Sequence, residues 1–292
     1  MITVGIPTFN EEKSIANIIR DVLAELSPKD EVIVVASGCT DNTVDIVYEF
    51  TQIDKRVRLY VESERNGKAS AINIINDLAK GHIIVQTDGD VRLEPDAISN
   101  LIKRFEDPTI GAVSGHPIPV ISKKNLFYDW TLMSYNKIHE VRQAEERVGD
   151  FWHLSGYLLA WRKGALSEVP FVKGAVDAWM GKIIKENGWS IRYEPKAKVL
   201  VKAPKNVKDF IAQKARVRAG YAFLRTNSPR KMRKEILWFP KELFKIPLWR
   251  WHKFITSGFV YAYSWYKGKS MAKKDLSLNE IWKVPTSTKW VS

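Results

Sequence analysis

The sequence predicts an α/β protein: a mostly parallel central sheet flanked by helices, followed by a basic, tryptophan-rich helical segment. Three observations predict it. Over the first 115 residues, short apolar runs of strand length alternate with amphipathic runs of helical period, joined by short connections. The polar clusters Thr8–Glu11, Ser37–Asp41, Asn66–Lys68 and Asp88–Asp90 follow those apolar runs, where ligands bind in parallel sheets. The charge is also split. Residues 1–195 hold 23 Lys+Arg against 28 Asp+Glu (net −5), residues 196–274 hold 21 against 3 (net +18), and the last 18 balance, giving +13.

Ile2–Pro7 is the first apolar run, followed by Ile15, Ile18, Ile19, Val22, Leu23 and Leu26 at helical spacing. Glu31–Ala36 has the composition of a buried strand, and the loop Ser37–Asp41 leads into a helix expected from Asn42 to about Phe50. Val57–Glu62 is a third strand and Lys68–Leu78 a third helix. His82–Thr87 is a fourth strand ending at Asp88-Gly89-Asp90, Pro95 opens a helix to Phe105, and Ile110–Ser114 is a fifth strand. Beyond these, a long helix is expected over Leu126–Glu146, a strand over Gly156–Trp161, a helix over Asp177–Glu186, and short strands over Ser190–Tyr193 and Lys198–Val201. After Pro204 the amphipathic segments are broken at Pro229, Pro240 and Pro247. This organises the chain into residues 1–115, 116–203 and 204–292.

A chain of 292 residues, 45% hydrophobic and 27% charged, buries a full core without covalent staples. Its single cysteine, Cys39, excludes an internal disulfide framework and a multi-cysteine zinc site, and fits a reducing compartment. Met1–Ile6 already has strand character, so no leader peptide is expected. The longest strongly apolar stretch, Phe254–Tyr266, has 13 residues, short of the roughly 20 a membrane span needs. The five histidines show no metal-ligand spacing; His82 is expected to be structural, and His116 could approach a metal or sugar.

Asp88-Gly89-Asp90 carries the most chemistry. Two carboxylates one residue apart, on a turn relaxed by glycine, can share a hard divalent cation, Mg²⁺ or Mn²⁺, that also grips a diphosphate. The alternative is a solvated turn with capping aspartates.

Around this motif the sequence resembles the family 2 glycosyltransferases, which have the GT-A fold. Pro7-Thr8-Phe9-Asn10-Glu11-Glu12 is similar to that family's Pro-x-x-Asn-Glu-Glu start. Ser37-Gly38-Cys39-Thr40-Asp41-Asn42-Thr43 is similar to its Asp-Gly-Ser-x-Asp-x-Thr loop, with Ser37 in place of the first Asp and Cys39 in place of Ser. Asn66-Gly67-Lys68-Ala69-Ser70-Ala71-Ile72-Asn73 is similar to its Asn-x-Gly-Lys-x-x-Ala-x-Asn segment. These matches span about 1–115, with weaker ones to about 220. The resemblance implies a nucleotide-sugar site comprising Pro7, Thr8, Asn10, Glu11, Ser37, Asp41, Lys68, Asp88 and Gly89, with Asp88 and Asp90 holding the metal. Asp41 would accept from a ring N–H of the base, or cap the next helix. Lys68 would meet the phosphates, or lie on a solvated surface. Cys39 fits a small loop residue better than a nucleophile.

Ser155-Gly156-Tyr157 resembles the family's Ser-Gly segment, and Asp177 stands where the family has its catalytic carboxylate, with Val176 replacing the usual Glu. The resemblance makes Asp177 the candidate base for an inverting transfer, helix capping being its other role and Asp150 and Glu168 the fallbacks. Gln213-Lys214-Ala215-Arg216-Val217 resembles the Gln-x-x-Arg-Trp motif of membrane-linked members, with Val217 replacing Trp. That places Gly156, Gln213 and Arg216 at the diphosphate or acceptor; Gln213 and Arg216 could equally form one polar helix face.

Trp238, Trp249, Trp251, Trp265, Trp282 and Trp290 lie among Lys231, Lys234, Lys241, Lys245, Arg250, Lys253, Lys267 and Lys269. Aromatic residues interleaved with cations are the composition of segments lying in a membrane interface; packing on the catalytic core is the alternative. Nucleic acid is disfavoured as a partner, since no helix-turn-helix, RNP or zinc-finger pattern is present. The expectation is an inverting glycosyltransferase using a UDP- or GDP-sugar and Mg²⁺ or Mn²⁺. Its acceptor would be a polyprenyl- or dolichyl-linked group or a glycan, and it would sit in the cytoplasm, peripherally on an anionic membrane surface. A non-catalytic membrane-surface binding protein on a degenerate fold is the alternative. A nucleotidyltransferase is disfavoured because the start lacks a Gly-rich, Lys/Arg-ended phosphate loop.

Overall fold

The structure, a computed structural model, describes residues 1–171, 174–223, 240–274 and 288. Pro229, Trp238, Trp282, Trp290, Lys231 and Lys234 lie outside the described residues.

One eight-stranded sheet has the order β3-β2-β1-β4-β7-β6-β8-β5. Its strands are β1 (Ile2–Thr8), β2 (Glu31–Ser37), β3 (Val57–Glu62), β4 (Ile83–Thr87), β5 (Val91–Leu93), β6 (Ile110–Val120), β7 (Leu158–Arg162) and β8 (Ser190–Lys202). The helices are α1 (Ile15–Glu25), α2 (Thr43–Ile53), α3 (Gly67–Leu78), α4 (Ala97–Lys103), α5 (Tyr128–Arg147), α6 (Val176–Glu186), α7 (Val207–Phe223) and α8 (Trp251–Ala272).

β1 to β4 pair in parallel, joined by right-sized helical crossovers, as the alternation of patterns predicts. From there the sheet is mixed. β7 runs antiparallel to both β4 and β6, β6 and β8 are parallel, and β5 is antiparallel to β8. The two short strands expected near 190–201 are one strand of 13 residues. Its Pro195 lies where the β6–β8 register shifts between Ser114 and His116, so the proline marks a bulge inside the strand. β6 likewise continues past Ser114 to Val120, and the division at residue 115 falls inside it, so both halves share one sheet.

The strands are covered on both faces. Along β2, Val32 and Val34 join α1, α2 and α4 in one fully buried cluster, while Ile33 and Val35 join α3 and α6 in the other. Alternation along a strand sends successive side chains to opposite faces, which is why a strand buried on both sides is continuously apolar. A third cluster, Phe127, Trp130, Phe210 and Phe254, ties α5, α7 and α8 together, with Phe127 and Phe210 stacked at 3.9 Å.

Candidate active site

Because β1, β2, β3 and β4 are parallel, their carboxyl ends open on the same edge, and β7, being antiparallel, begins there. A cavity of about 410 Å³ lies along this edge. Its floor is Pro7 and Thr8 at the end of β1, Phe9 and Glu11 just after it, Ser37 at the end of β2, Arg65, Gly67 and Lys68 after β3, and Asp88–Asp90 after β4. Ser155–Tyr157, Ala175–Asp177 and the α7 residues Gln213 and Arg216 form the opposite wall.

Lys68 joins the two walls, its Nζ donating to Asp88 Oδ1 and, at 3.0 Å, to the Gly156 carbonyl. Gln86 Nε2 donates to the same carbonyl at 2.7 Å. The Gly156 N–H donates to Asp177 Oδ2 at 3.0 Å, so one short segment touches both the Asp88 cluster and Asp177. Burial raises the pKa of Asp88 against the lowering effect of Lys68. Burial also lowers that of Arg216, which Tyr157, Asp90 and Asp88 partly offset. Tyr135 beside it, with burial, pushes the Tyr157 hydroxyl well above its usual range. Perturbed groups gathered in one cleft are the usual mark of a functional site.

Asp177 lies within the first turn of α6, whose cap position is Ala175 in the left-handed region (φ 52°). Non-glycine residues in that region cluster at functional sites, where surrounding contacts hold the strain. The contact here is α7. A Cβ on Gly220 would lie 2.8 Å from the Ala175 nitrogen, so glycine lets the helix bearing Gln213 and Arg216 reach the turn bearing Asp177.

Of the residues singled out in the sequence, Pro7, Thr8, Glu11, Ser37, Lys68, Asp88, Gly89, Asp90, Gly156, Asp177, Gln213 and Arg216 all line this cavity. Asn10 and Asp41 stand outside its lining. Asn10 Oδ1 accepts from the Thr40 N–H at 2.8 Å, and the Asp41 oxygens accept from the Thr43 N–H at 3.1 Å and the Glu12 N–H at 3.2 Å. Thr43 Oγ1 in turn accepts from the Glu11 N–H at 2.7 Å, so this pair of loops holds Glu11 in place. Cys39 bridges the same loops, accepting from the Asn10 N–H at 3.4 Å. Asp150 is exposed and pairs with Lys185, Glu168 is exposed, and neither lines the cavity. His116 is also outside it, stacked on His139 at 4.1 Å.

Arg65, Tyr135, Arg142, Lys202, Lys214 and Tyr221 line the cavity but carry no sequence signal of their own. Tyr135, Ile138 and Arg142 share one face of α5, a spacing visible in the sequence only once the helix is known to border a site.

Among the described residues there is no group of three or more His, Cys, Asp and Glu able to hold a metal. Asp88 and Asp90 form an all-oxygen pair, which suits Mg²⁺ or Mn²⁺ when phosphate and water complete the shell. Thr8 Oγ1 is buried without a hydrogen-bond partner among the described residues, and a Cβ on Gly89 would lie 3.0 Å from it, so the motif folds closely around this oxygen. The residues fit such a cation.

Residues 3–169 match the family described as "Glycosyl transferase family 2". The poly-beta-1,6-N-acetyl-D-glucosamine synthase of Staphylococcus epidermidis is 26% identical over 220 residues, 71% of this chain and 51% of that protein. The Staphylococcus aureus (strain COL) synthase is 25% identical over 227 residues, 74% and 53% respectively. The chain thus spans about half the length of these curated relatives. A mannosyltransferase from Pyrobaculum calidifontis, solved in complex with GDP-Man and Mn²⁺, superposes with a TM-score of 0.64 at 23% identity, covering 94% of this chain and 81% of that one. S. aureus TarS 1-349 gives 0.51 at 14% identity, with 96% and 77% covered. At those identities the superpositions speak for a shared GT-A architecture, and the match over residues 3–169 makes the chain a member of glycosyl transferase family 2.

Proposed function

We propose that the protein is an inverting glycosyltransferase, moving a sugar from a UDP- or GDP-sugar to a lipid-linked acceptor at the cytosolic membrane surface. One observation carries the reading: Asp88, Asp90, Lys68 and Arg216 line the same cavity as Asp177. A nucleoside diphosphate needs the first group and a hydroxyl acceptor needs the second.

On this reading, Asp88 and Asp90 hold a Mg²⁺ or Mn²⁺, which when bound neutralises the charge that develops on the leaving diphosphate. Arg216 offers its guanidinium fork to the same oxygens, and burial strengthens that interaction. Asp177, its Oδ2 held by the Gly156 N–H, takes the proton of the acceptor hydroxyl as that oxygen attacks. If the acceptor is a phosphate, it is already anionic and the base has less to do.

Support for the membrane surface comes from α8. Ile255, Phe259, Tyr263 and Tyr266 recur along one exposed face, while Phe254, Ser257, Ser264 and Gly268 are buried on the other. Phe244, Leu248 and Trp249, in the segment before α8, are exposed as well, and Lys245, Lys253, Lys267 and Lys269 lie in the same stretch of sequence. No helix among the described residues is long and apolar enough to cross a membrane.

The test is incubation with a panel of nucleotide sugars, Mn²⁺ and membrane lipids, following nucleoside diphosphate release. Release that requires both a donor and a lipid fraction is the expected result. Nucleotide binding without turnover under every condition would favour the non-catalytic binding protein, for which the substitutions at Ser37, Val176 and Val217 speak.

A further inference from the structure

The strand order lays out the cavity from end to end: Arg65 beyond β3, Ser37 on β2, Phe9 beyond β1, Asp88–Asp90 beyond β4, then Gly156 and Asp177. With the diphosphate at Asp88–Asp90 and the sugar toward Asp177, the nucleoside extends the other way, over β1 to β3. That end is occupied by Arg65. Its guanidinium carbon lies 3.9 Å from the centre of the Phe9 ring, close enough for the ring to fix its plane.

The backbone of Arg65 is fixed as well. Ser37 Oγ donates to the Glu64 carbonyl at 3.3 Å and accepts from the Asn66 N–H at 3.1 Å, bracketing Arg65 on both sides. Gly38, in the left-handed region at φ +63°, lies so close that a Cβ there would be 2.5 Å from the Arg65 nitrogen.

This end also lacks a carboxylate among its described lining residues. Position 37 is serine, and Asp41 lies outside the lining with its oxygens on the Thr43 and Glu12 N–H groups. Glu11 sits toward Gly89, and its Oε2 accepts from the Ser14 hydroxyl at 2.7 Å. The side chain that the described residues place at this end is the Arg65 guanidinium, a donor, and it pairs with an edge that carries acceptors.

We propose that Arg65 reads the nucleobase and selects guanine over uracil. A guanidinium fork delivers two parallel hydrogen bonds to two adjacent acceptors, which guanine offers at O6 and N7. Uracil separates O2 from O4 by the N3–H, so the fork reaches one of them, and the N3–H meets no carboxylate among the described lining residues of this end. The proposal rests on the donor reading above.

The experiment is calorimetry on the full chain with Mn²⁺, using GDP, UDP and a GDP analogue with carbon in place of N7. GDP binds about tenfold tighter than UDP or better, and the analogue loses most of that advantage. Arg65→Ala weakens GDP while leaving UDP within about twofold, and Arg65→Lys, which keeps the charge without the fork, does not restore the preference. UDP binding as tightly as GDP overturns the proposal. So does an equal loss for both nucleotides in Arg65→Ala, which would put Arg65 on the diphosphate. If neither nucleotide binds, the donor reading itself fails. The analogue needs no substitution, so its result stands even where a variant misfolds.

Discussion

Asp177 is oriented by a backbone N–H and leaves helix capping to Ala175, so its carboxylate has no evident structural task in α6. Asn at this position still accepts the Gly156 N–H but cannot take a proton. In Asp177→Asn, transfer to a hydroxyl acceptor falls about 10²-fold or more while nucleotide affinity stays within about twofold. Unimpaired turnover would remove Asp177 as the base. His153 is a second residue with a measurable signature. It is buried, its Nδ1 lacks a hydrogen-bond partner among the described residues, and burial pulls its pKa down from 6.5 to about 4. The unfolded chain therefore binds this proton first as pH falls. Its contribution to stability is complete above about pH 6.5 and is lost as pH falls toward 4, at about 1.4 kcal/mol per pH unit. Urea unfolding across that range shows His153→Asn with a shallower slope than the parent; identical slopes would mean that His153 is protonated alike in both states. At this scale the sequence exposed the residues whose chemistry is local, such as Asp88 and Asp90 on one turn. It did not expose Arg65, because an arginine in a polar loop looks like any other until Ser37 and Phe9 are seen to hold it.

Helix α7 is the element that completes the cavity, and its position depends on Gly220. A larger residue there would press on the Ala175 backbone, and through it on the turn that carries Asp177. We expect Gly220→Val to lower stability by about 1–3 kcal/mol, and to reduce turnover further than the stability loss alone explains. Thermal unfolding and turnover, measured at a temperature where the variant stays folded, separate the two effects; full activity in the folded variant would show that α7 does not position the site. The parallel half of the sheet was legible because each strand is a complete apolar run followed by a helical period. The other half was less so. β5 is three residues long, too short for any periodicity, and it exists because β8 extends past the bulge at Pro195 to pair with it. The sequence pattern divides this strand into Ser190–Tyr193 and Lys198–Val201, because only tertiary pairing distinguishes a break from a bulge.

Across the whole molecule, the +13 net charge is the sum of a mildly acidic portion that contains most of the cavity and a strongly basic one that contains α7 and α8. The two portions pack together through the Phe127–Phe210–Phe254 cluster, so a surface that α8 docked on would bear on the orientation of the cavity. On the proposed docking to a membrane surface, the exposed face of α8 would combine two attractions with different salt responses. Cations near an anionic leaflet contribute roughly 1 kcal/mol each and are screened beyond about 8 Å at physiological ionic strength. Burial of Phe259 (73% exposed), Tyr263 (56%) and Tyr266 (70%) is apolar and survives salt. Binding to vesicles containing anionic lipid should therefore weaken in high salt without vanishing. The triple variant Phe259→Ser, Tyr263→Ser, Tyr266→Ser should lose the salt-resistant part while its solution affinity for nucleotide is unchanged, since none of the three lines the cavity. Co-sedimentation with anionic and neutral vesicles at two salt concentrations measures both parts. Binding that disappears entirely in salt would reduce α8 to an electrostatic contact, and no binding to either vesicle would leave the acceptor to be delivered from solution.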